Sequence, residues 1–168
     1  MIRLLLLDVD GTLTDGTINF LELDGGIYES KSFHIHDGLG IVAWLKLGRE
    51  IAIISGRESK SLRKRASELG ITRIFMGVED KSIIARNIIS GLNLSKDEVA
   101  CIGDDINDLG MFRESSLRFA PANANAYLRT KADVVLSCRG GDGAVREMIE
   151  FILQRNEEEY QEFLALYE

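Results

Sequence analysis

No stretch of this 168-residue chain is apolar for long enough to cross a bilayer, and the opening run (Ile2, Leu4 to Leu7) meets acidic residues too soon to be a signal peptide. The expectation is a cytoplasmic protein with no membrane partner. Cysteine is nearly missing: Cys101 and Cys138 stand apart with no CxxC spacing, which argues against a disulfide framework and a cysteine-based zinc site and leaves two reduced thiols. Histidine is scarce too, limited to His34 and His36. Positive charge is short, with 20 Lys and Arg against 27 Asp and Glu for a net charge of −7, which argues against nucleic-acid binding. There is no internal repeat, low-complexity tract or linker. With 45% hydrophobic residues, the composition suits one domain, residues 1–168, with a full core.

What the chain does have is acid in unusual places. Asp8 and Asp10 stand where the first apolar run breaks into Gly11 and Thr12, so a predicted strand ends in paired carboxylates. Their mutual repulsion calls for a cation or a shared proton. Taken alone, DVDGT is also compatible with a strand cap followed by a tight turn. A second acidic string, Gly103 to Asp108 (GDDIND), follows a second apolar run from Val99 to Ile102. In an open parallel sheet the carboxyl ends of neighbouring strands meet at a switch point, which would bring Asp8, Asp10 and Asp104 together. Carboxylate oxygens suit a hard cation, Mg²⁺ above all, which also accepts phosphate.

Two phosphate handles lie between these clusters. Ser55 and Gly56 follow the apolar run Ile51 to Ile54 and precede a predicted helix, where a hydroxyl and free N–H groups can hold an anion. Lys81 opens a later helical pattern. Singly, Ser55 also reads as a helix cap and Lys81 as a solvated lysine.

The order DVDGT, ISGR, Lys81, GDDIND resembles the haloacid dehalogenase superfamily of phosphotransferases over nearly the whole chain. The resemblance implies Asp8 as nucleophile, Asp10 as general acid and base, Ser55 as donor to a phosphoryl oxygen and Lys81 as charge stabiliser. It implies Asp8, Asp10 and Asp104 around Mg²⁺, with Asp108 behind them and Asp105 and Asn107 orienting the loop or its waters. Thr12 and Gly56 then border the phosphoryl group. The chemistry suits those residue types: a carboxylate attacks phosphorus, and a second one protonates the leaving alkoxide and later activates water.

Alternating apolar strands and amphipathic helices predict an α/β fold, a Rossmann-like doubly wound parallel sheet. Strands are expected near 2–8, 50–54, 73–76, 99–103, 117–120 and 133–136, and helices near 38–48, 58–69, 80–92, 107–114, 124–131 and 143–166. Gly48, Gly70 and Gly91 fall where helices should end. Residues 15–36 break the alternation. Gly16 to Leu23 and Ile27 to Ile35 flank Asp24-Gly25-Gly26 and read as a β-hairpin insertion after the first strand, in place of a large cap. Its apolar side chains favour burial between subunits. On a strand, His34 and His36 would share one face, as interface or pocket-rim residues or, alternatively, as a metal pair. Asp37-Gly38 would cap the first helix, with Asp37 also able to reach substrate.

The hairpin, FHIHDGLGI and the glycine-rich RGGDGAVRE (139–147), which opens the C-terminal segment 139–168, together resemble the capless, tetrameric family of 3-deoxy-D-manno-octulosonate 8-phosphate (KDO 8-phosphate) phosphatases. That resemblance implies a homotetramer in which Gly140, Gly141, Gly143 and Arg146 close a neighbour's site. It implies hydrolysis of a small-molecule sugar phosphate to KDO and inorganic phosphate through an aspartyl phosphate, feeding lipopolysaccharide assembly. Arg57, and more weakly Arg65, would meet the sugar's carboxylate. A related family acting on nine-carbon ulosonate 9-phosphates tends to carry glutamate at the position of Arg57. His36 departs from the pattern, since the octulosonate phosphatases often have arginine there. Alternatives are a nine-carbon substrate, a non-catalytic tetramerisation module, or a phosphomutase, which the lack of a cap disfavours.

Overall fold

In a computed structural model describing residues 1–168, the strands β1 (Leu4–Leu7), β4 (Glu50–Ile54), β5 (Arg73–Phe75), β6 (Val99–Ile102), β7 (Leu117–Ala120) and β8 (Val134–Val135) form one parallel sheet in the order β5-β4-β1-β6-β7-β8. The four leucines of β1 are wholly buried because both faces of the sheet are covered. Leu5 and Leu7 point to one layer, against Ile41 and Trp44 of α1 (Ile35–Lys46), Met148 and Ile149 of α6 (Ala144–Leu153) and Phe163 of α7 (Glu157–Ala165). Leu4 and Leu6 point to the other, against Ala85 and Ile88 of α3 (Lys81–Gly91) and Met111 and Phe112 of α4 (Leu109–Glu114). The remaining helices are α2 (Lys60–Leu69) and the short α5 (Ala126–Arg129).

From β1 the chain builds outward through β4 and β5, then returns to lay β6 on the opposite side of β1. The strand order therefore reverses between β1 and β6, and the crevice beyond their carboxyl ends receives the loops that carry Asp8, Asp10 and Asp104.

The insertion is shorter than expected. β2 (Asn19–Leu23) and β3 (Gly26–Ser30) pair antiparallel around Asp24 and Gly25, which both adopt positive φ (50° and 74°) as a two-residue hairpin turn requires. The strand stops at Ser30, and His34 already precedes the first turn of α1. His34 and His36 thus do not share a strand face, although their rings meet edge to face at 4.8 Å. Asp37 does not cap α1. It lies within the first turn, buried, and accepts a hydrogen bond from the Arg146 N–H at 2.8 Å, so it caps α6 instead.

Two helix ends also differ. Gly48 (φ +73°) and Gly70 (φ +79°) end α1 and α2 as expected, but Gly91 is helical and Asn93 (φ 53°) takes the left-handed turn after α3. The single C-terminal helix expected over 143–166 is two, because Asn156 caps α7 by accepting from Glu158 N–H at 3.1 Å. Glu157 and Glu158 then sit at the positive end of the α7 dipole. Unbroken, that helix would run about 35 Å and carry Phe163 off the sheet layer it packs against. A buried ion pair, Arg49 to Glu159 at 2.7 Å, fastens α7 to the start of β4.

Candidate active site

Each chemical group sits at the end of an element that fixes it. Asp8 follows β1 directly and continues the ladder, its N–H donating to Ile102 O at 3.1 Å. Lys81 is the first residue of α3, whose N-terminus is capped by Asp80 accepting from Ser82 N–H at 2.9 Å. Lys81 Nζ donates to Asp8 Oδ1 at 2.5 Å and to Asp108 Oδ1 at 2.6 Å, with all three side chains out of solvent. Asp108 spends its other oxygen on the loop, accepting from the N–H groups of Asp104 at 2.9 Å and Asp105 at 3.2 Å. It thereby shapes the turn that presents Asp104.

Asp8, Asp104 and Asp108 bring one carboxylate oxygen each within 4.8 Å of one another. One ammonium serves three acids, so the cluster carries surplus negative charge in poor solvent. Burial first, then Asp108, pushes the Asp8 carboxyl up to about 8, against the pull of Lys81. Burial, Asp108 and Asp105 push Asp104 up to about 7. Burial works against the charge on Lys81, but Asp8 and Asp108 outweigh it and raise its affinity for the proton. Asp8 Oδ2 is buried without a hydrogen-bond partner, as is Thr12 Oγ1. All-oxygen donors, an orphaned carboxylate oxygen and uncompensated charge fit a hard dication such as Mg²⁺.

Glycines beside the cluster leave no room for a side chain. Gly11 has φ +94°, and a Cβ there would stand 2.0 Å from Asp104 Oδ2. A Cβ on Gly140 would stand 1.8 Å from Gly11 O, and Gly141 N–H donates to Thr12 O at 3.0 Å. The glycine-rich segment therefore packs on the Asp8 loop of its own chain. Gly140 and Gly141 need their small size for this close contact within the chain, whereas a Cβ on Gly143 would meet only Cys138 Sγ at 3.8 Å and His34 Nδ1 at 4.0 Å.

Other expected residues divide. Ser55 is buried at the end of β4, its Oγ accepting from Arg57 N–H at 3.2 Å, with Gly56 exposed beside it. Arg57 reaches toward Asp10, its Nε 3.9 Å from Asp10 Oδ2, and pairs with Glu29 of β3. Asp10 does not join the carboxylate cluster through its side chain, because that side chain is held by Lys31. Asp105 caps the following 3₁₀ turn by accepting from Ile106 N–H at 2.8 Å, and Asn107 is exposed. Arg65 pairs with Glu68 and lies against Gly38 of α1, and Arg146 pairs with Glu150 at 2.6 Å and stacks over Phe163. Arg65 and Arg146 thus take part in helix packing, and Asp37 caps α6 with one oxygen while its Oδ2 is buried without a hydrogen-bond partner. Lys31 and Glu29 escaped sequence reasoning, because ESK on an exposed-looking hairpin reads as surface.

The chain matches the haloacid dehalogenase-like hydrolase family model over residues 73–149. It is 39% identical over 153 residues to the 3-deoxy-D-manno-octulosonate 8-phosphate phosphatase of Haemophilus influenzae, covering 91% of this chain and 83% of that one. The Escherichia coli K12 enzyme of the same name is 40% identical over 152 residues, 90% of this chain and 79% of that one. Among solved structures, the Moraxella catarrhalis phosphatase of that name in complex with magnesium, phosphate and KDO superposes with a TM-score of 0.91 at 36% identity, covering 99% of this chain and 94% of that one. The cobalt-bound Haemophilus influenzae phosphatase superposes at 0.87 with 37% identity, covering 97% and 96%. By identity, coverage and superposition, the chain belongs to the 3-deoxy-D-manno-octulosonate 8-phosphate phosphatase family of haloacid dehalogenase-like hydrolases.

Proposed function

We propose that this protein is a magnesium-dependent phosphatase that hydrolyses KDO 8-phosphate to KDO and inorganic phosphate, a cytoplasmic step in supplying lipopolysaccharide precursor. The observation that carries the reading is the buried Asp8–Lys81–Asp108 array beside Asp104, with one oxygen of Asp8 left free. Asp8 attacks phosphorus in line as the bond to the sugar oxygen breaks, giving an aspartyl phosphate. Asp10 gives its proton to the departing alkoxide, then takes one from the water that displaces Asp8 from phosphorus. Ser55 and Lys81 hold the phosphoryl oxygens, and Thr12 and Gly56 border them. Asp8 and Asp104 would hold the magnesium, which when bound offsets the repulsion between the anionic nucleophile and its anionic substrate.

Arg57 is the cation we assign to the sugar's carboxylate. Residues 1–168 act as one domain, and the hairpin assembles a homotetramer. Exposure of Phe20 (67%) and Ile27 (76%) supports that role, since such side chains on a two-stranded ribbon are stable when covered. The test is phosphate release from KDO 8-phosphate, a nine-carbon ulosonate 9-phosphate and neutral hexose phosphates, with Mg²⁺ and after chelation. Metal-dependent preference for KDO 8-phosphate is expected. Preference for the nine-carbon acid would overturn the substrate assignment, and no release from any of them would overturn the enzyme reading.

A further inference from the structure

Lys31, just past the end of β3, is only 3% exposed at its side chain, although it belongs to a hairpin whose other residues are largely in solvent. Its Nζ pairs with Asp10 Oδ1 on one side and lies 3.1 Å from Glu29 Oε1 on the other. Glu29 is fixed in turn by Arg57, and its backbone carbonyl accepts from Ser61 Oγ at 3.4 Å on α2. The two catalytic carboxylates thus have separate lysines: Lys81 serves Asp8, and Lys31 serves Asp10.

This division accounts for the position of Asp10. A carboxylate two residues from Asp8 could have turned into the Asp8–Asp104–Asp108 cluster, yet its side chain is drawn toward the hairpin. A buried ammonium between two acids is costly to disturb, because removing either partner leaves charge without compensation. We infer that Lys31, itself oriented by Glu29, is a positioning residue that holds the Asp10 carboxyl on the leaving-group side of the phosphoryl site. The hairpin then contributes to catalysis within its own chain, apart from any assembly it mediates. This rests on the reading that Asp10 protonates the leaving alkoxide.

Leaving-group dependence separates positioning from general damage. A sugar alkoxide needs a proton to depart, whereas nitrophenolate leaves without one. Lys31→Met, Lys31→Arg, Glu29→Gln and Asp10→Asn are compared in single-turnover cleavage of the sugar phosphate and in the nitrophenolate burst from para-nitrophenyl phosphate, with Mg²⁺ saturating. The expected result for Lys31→Met is a fall of about 10- to 100-fold in sugar-phosphate cleavage at unchanged KM, with the aryl burst within about twofold of the parent, since acid catalysis contributes about 10²- to 10⁴-fold. Lys31→Arg restores most of the loss, and Glu29→Gln shows the same selectivity more weakly. Should Lys31→Met fail to fold by circular dichroism, Glu29→Gln decides: selective loss supports the inference and its absence overturns it. Equal loss on both substrates, or a raised KM with kcat intact, overturns the role of Lys31. If Asp10→Asn itself slows both substrates equally, the general-acid reading falls and takes the inference with it. Selectivity in Asp10→Asn without selectivity in Lys31→Met sinks the inference alone.

Discussion

Asp108 shows how one buried carboxylate can organise a site through its neighbours. One oxygen binds Lys81 and the other receives two backbone N–H groups, so both the ammonium and the Asp104 turn depend on it. Asp108→Asn keeps the shape but replaces half of this arrangement with an amide that cannot accept on both sides. The expected outcome is a folded protein with Mg²⁺ affinity lowered about 10- to 100-fold, read by calorimetric titration. Unchanged affinity would mean that Asp104 is placed by the loop alone. At this scale the sequence was most legible where a residue's position on an element determines its neighbours: Asp8 after β1, Asp104 after β6 and Lys81 opening α3 converge because the strand order requires it. Asp10, Arg65 and Arg146 were less legible, because their side chains are claimed by partners distant in sequence or by an aromatic ring that spacing does not reveal.

Among the elements, the glycine-rich segment and α6 form a clamp on the Asp8 loop. Glu147, in the first turn of α6, accepts from Ser137 N–H at 2.9 Å and Cys138 N–H at 2.7 Å, while Asp37 of α1 takes the N–H of Arg146. Burial disfavours the Glu147 charge, but those two N–H groups outweigh it and hold the carboxyl below its ordinary value of 4.5. Its contribution to stability is therefore complete above pH 4.5 and lost as pH falls through the lowered folded value. Thermal unfolding from pH 6 to pH 3 should show that Glu147→Gln costs about 1 kcal/mol at the upper end and little at the lower, the bond being partly exposed. An equal cost at both ends would assign the loss to something other than the carboxylate. Strand positions were readable from apolar runs, because a sheet covered on both faces leaves no other home for them. The break at Asn156 and the early start of α1 were not, since local capping by Asn156 and the chain's exit from the hairpin override helical periodicity.

For the whole molecule, the six-stranded sheet is self-sufficient, while the hairpin leaves Ile18, Phe20, Leu23, Ile27 and Tyr28 exposed. Assembly through this ribbon predicts that Phe20→Glu with Ile27→Glu converts a tetramer to smaller species in light scattering, without lowering helix content. A tetramer that survived would place the interface elsewhere. Since the glycine-rich segment closes on its own Asp8 loop, such a dissociated protein should still bind Mg²⁺. The central claim is that Asp8 becomes covalently phosphorylated by an acidic sugar phosphate in a metal-dependent step. Its most direct test is acid quenching within one turnover of KDO 8-phosphate, followed by mass spectrometry of the peptide containing Asp8. The account predicts a phosphoryl group on Asp8 that requires Mg²⁺ and is absent in Asp8→Asn; phosphate release at full rate with that peptide never modified would contradict it.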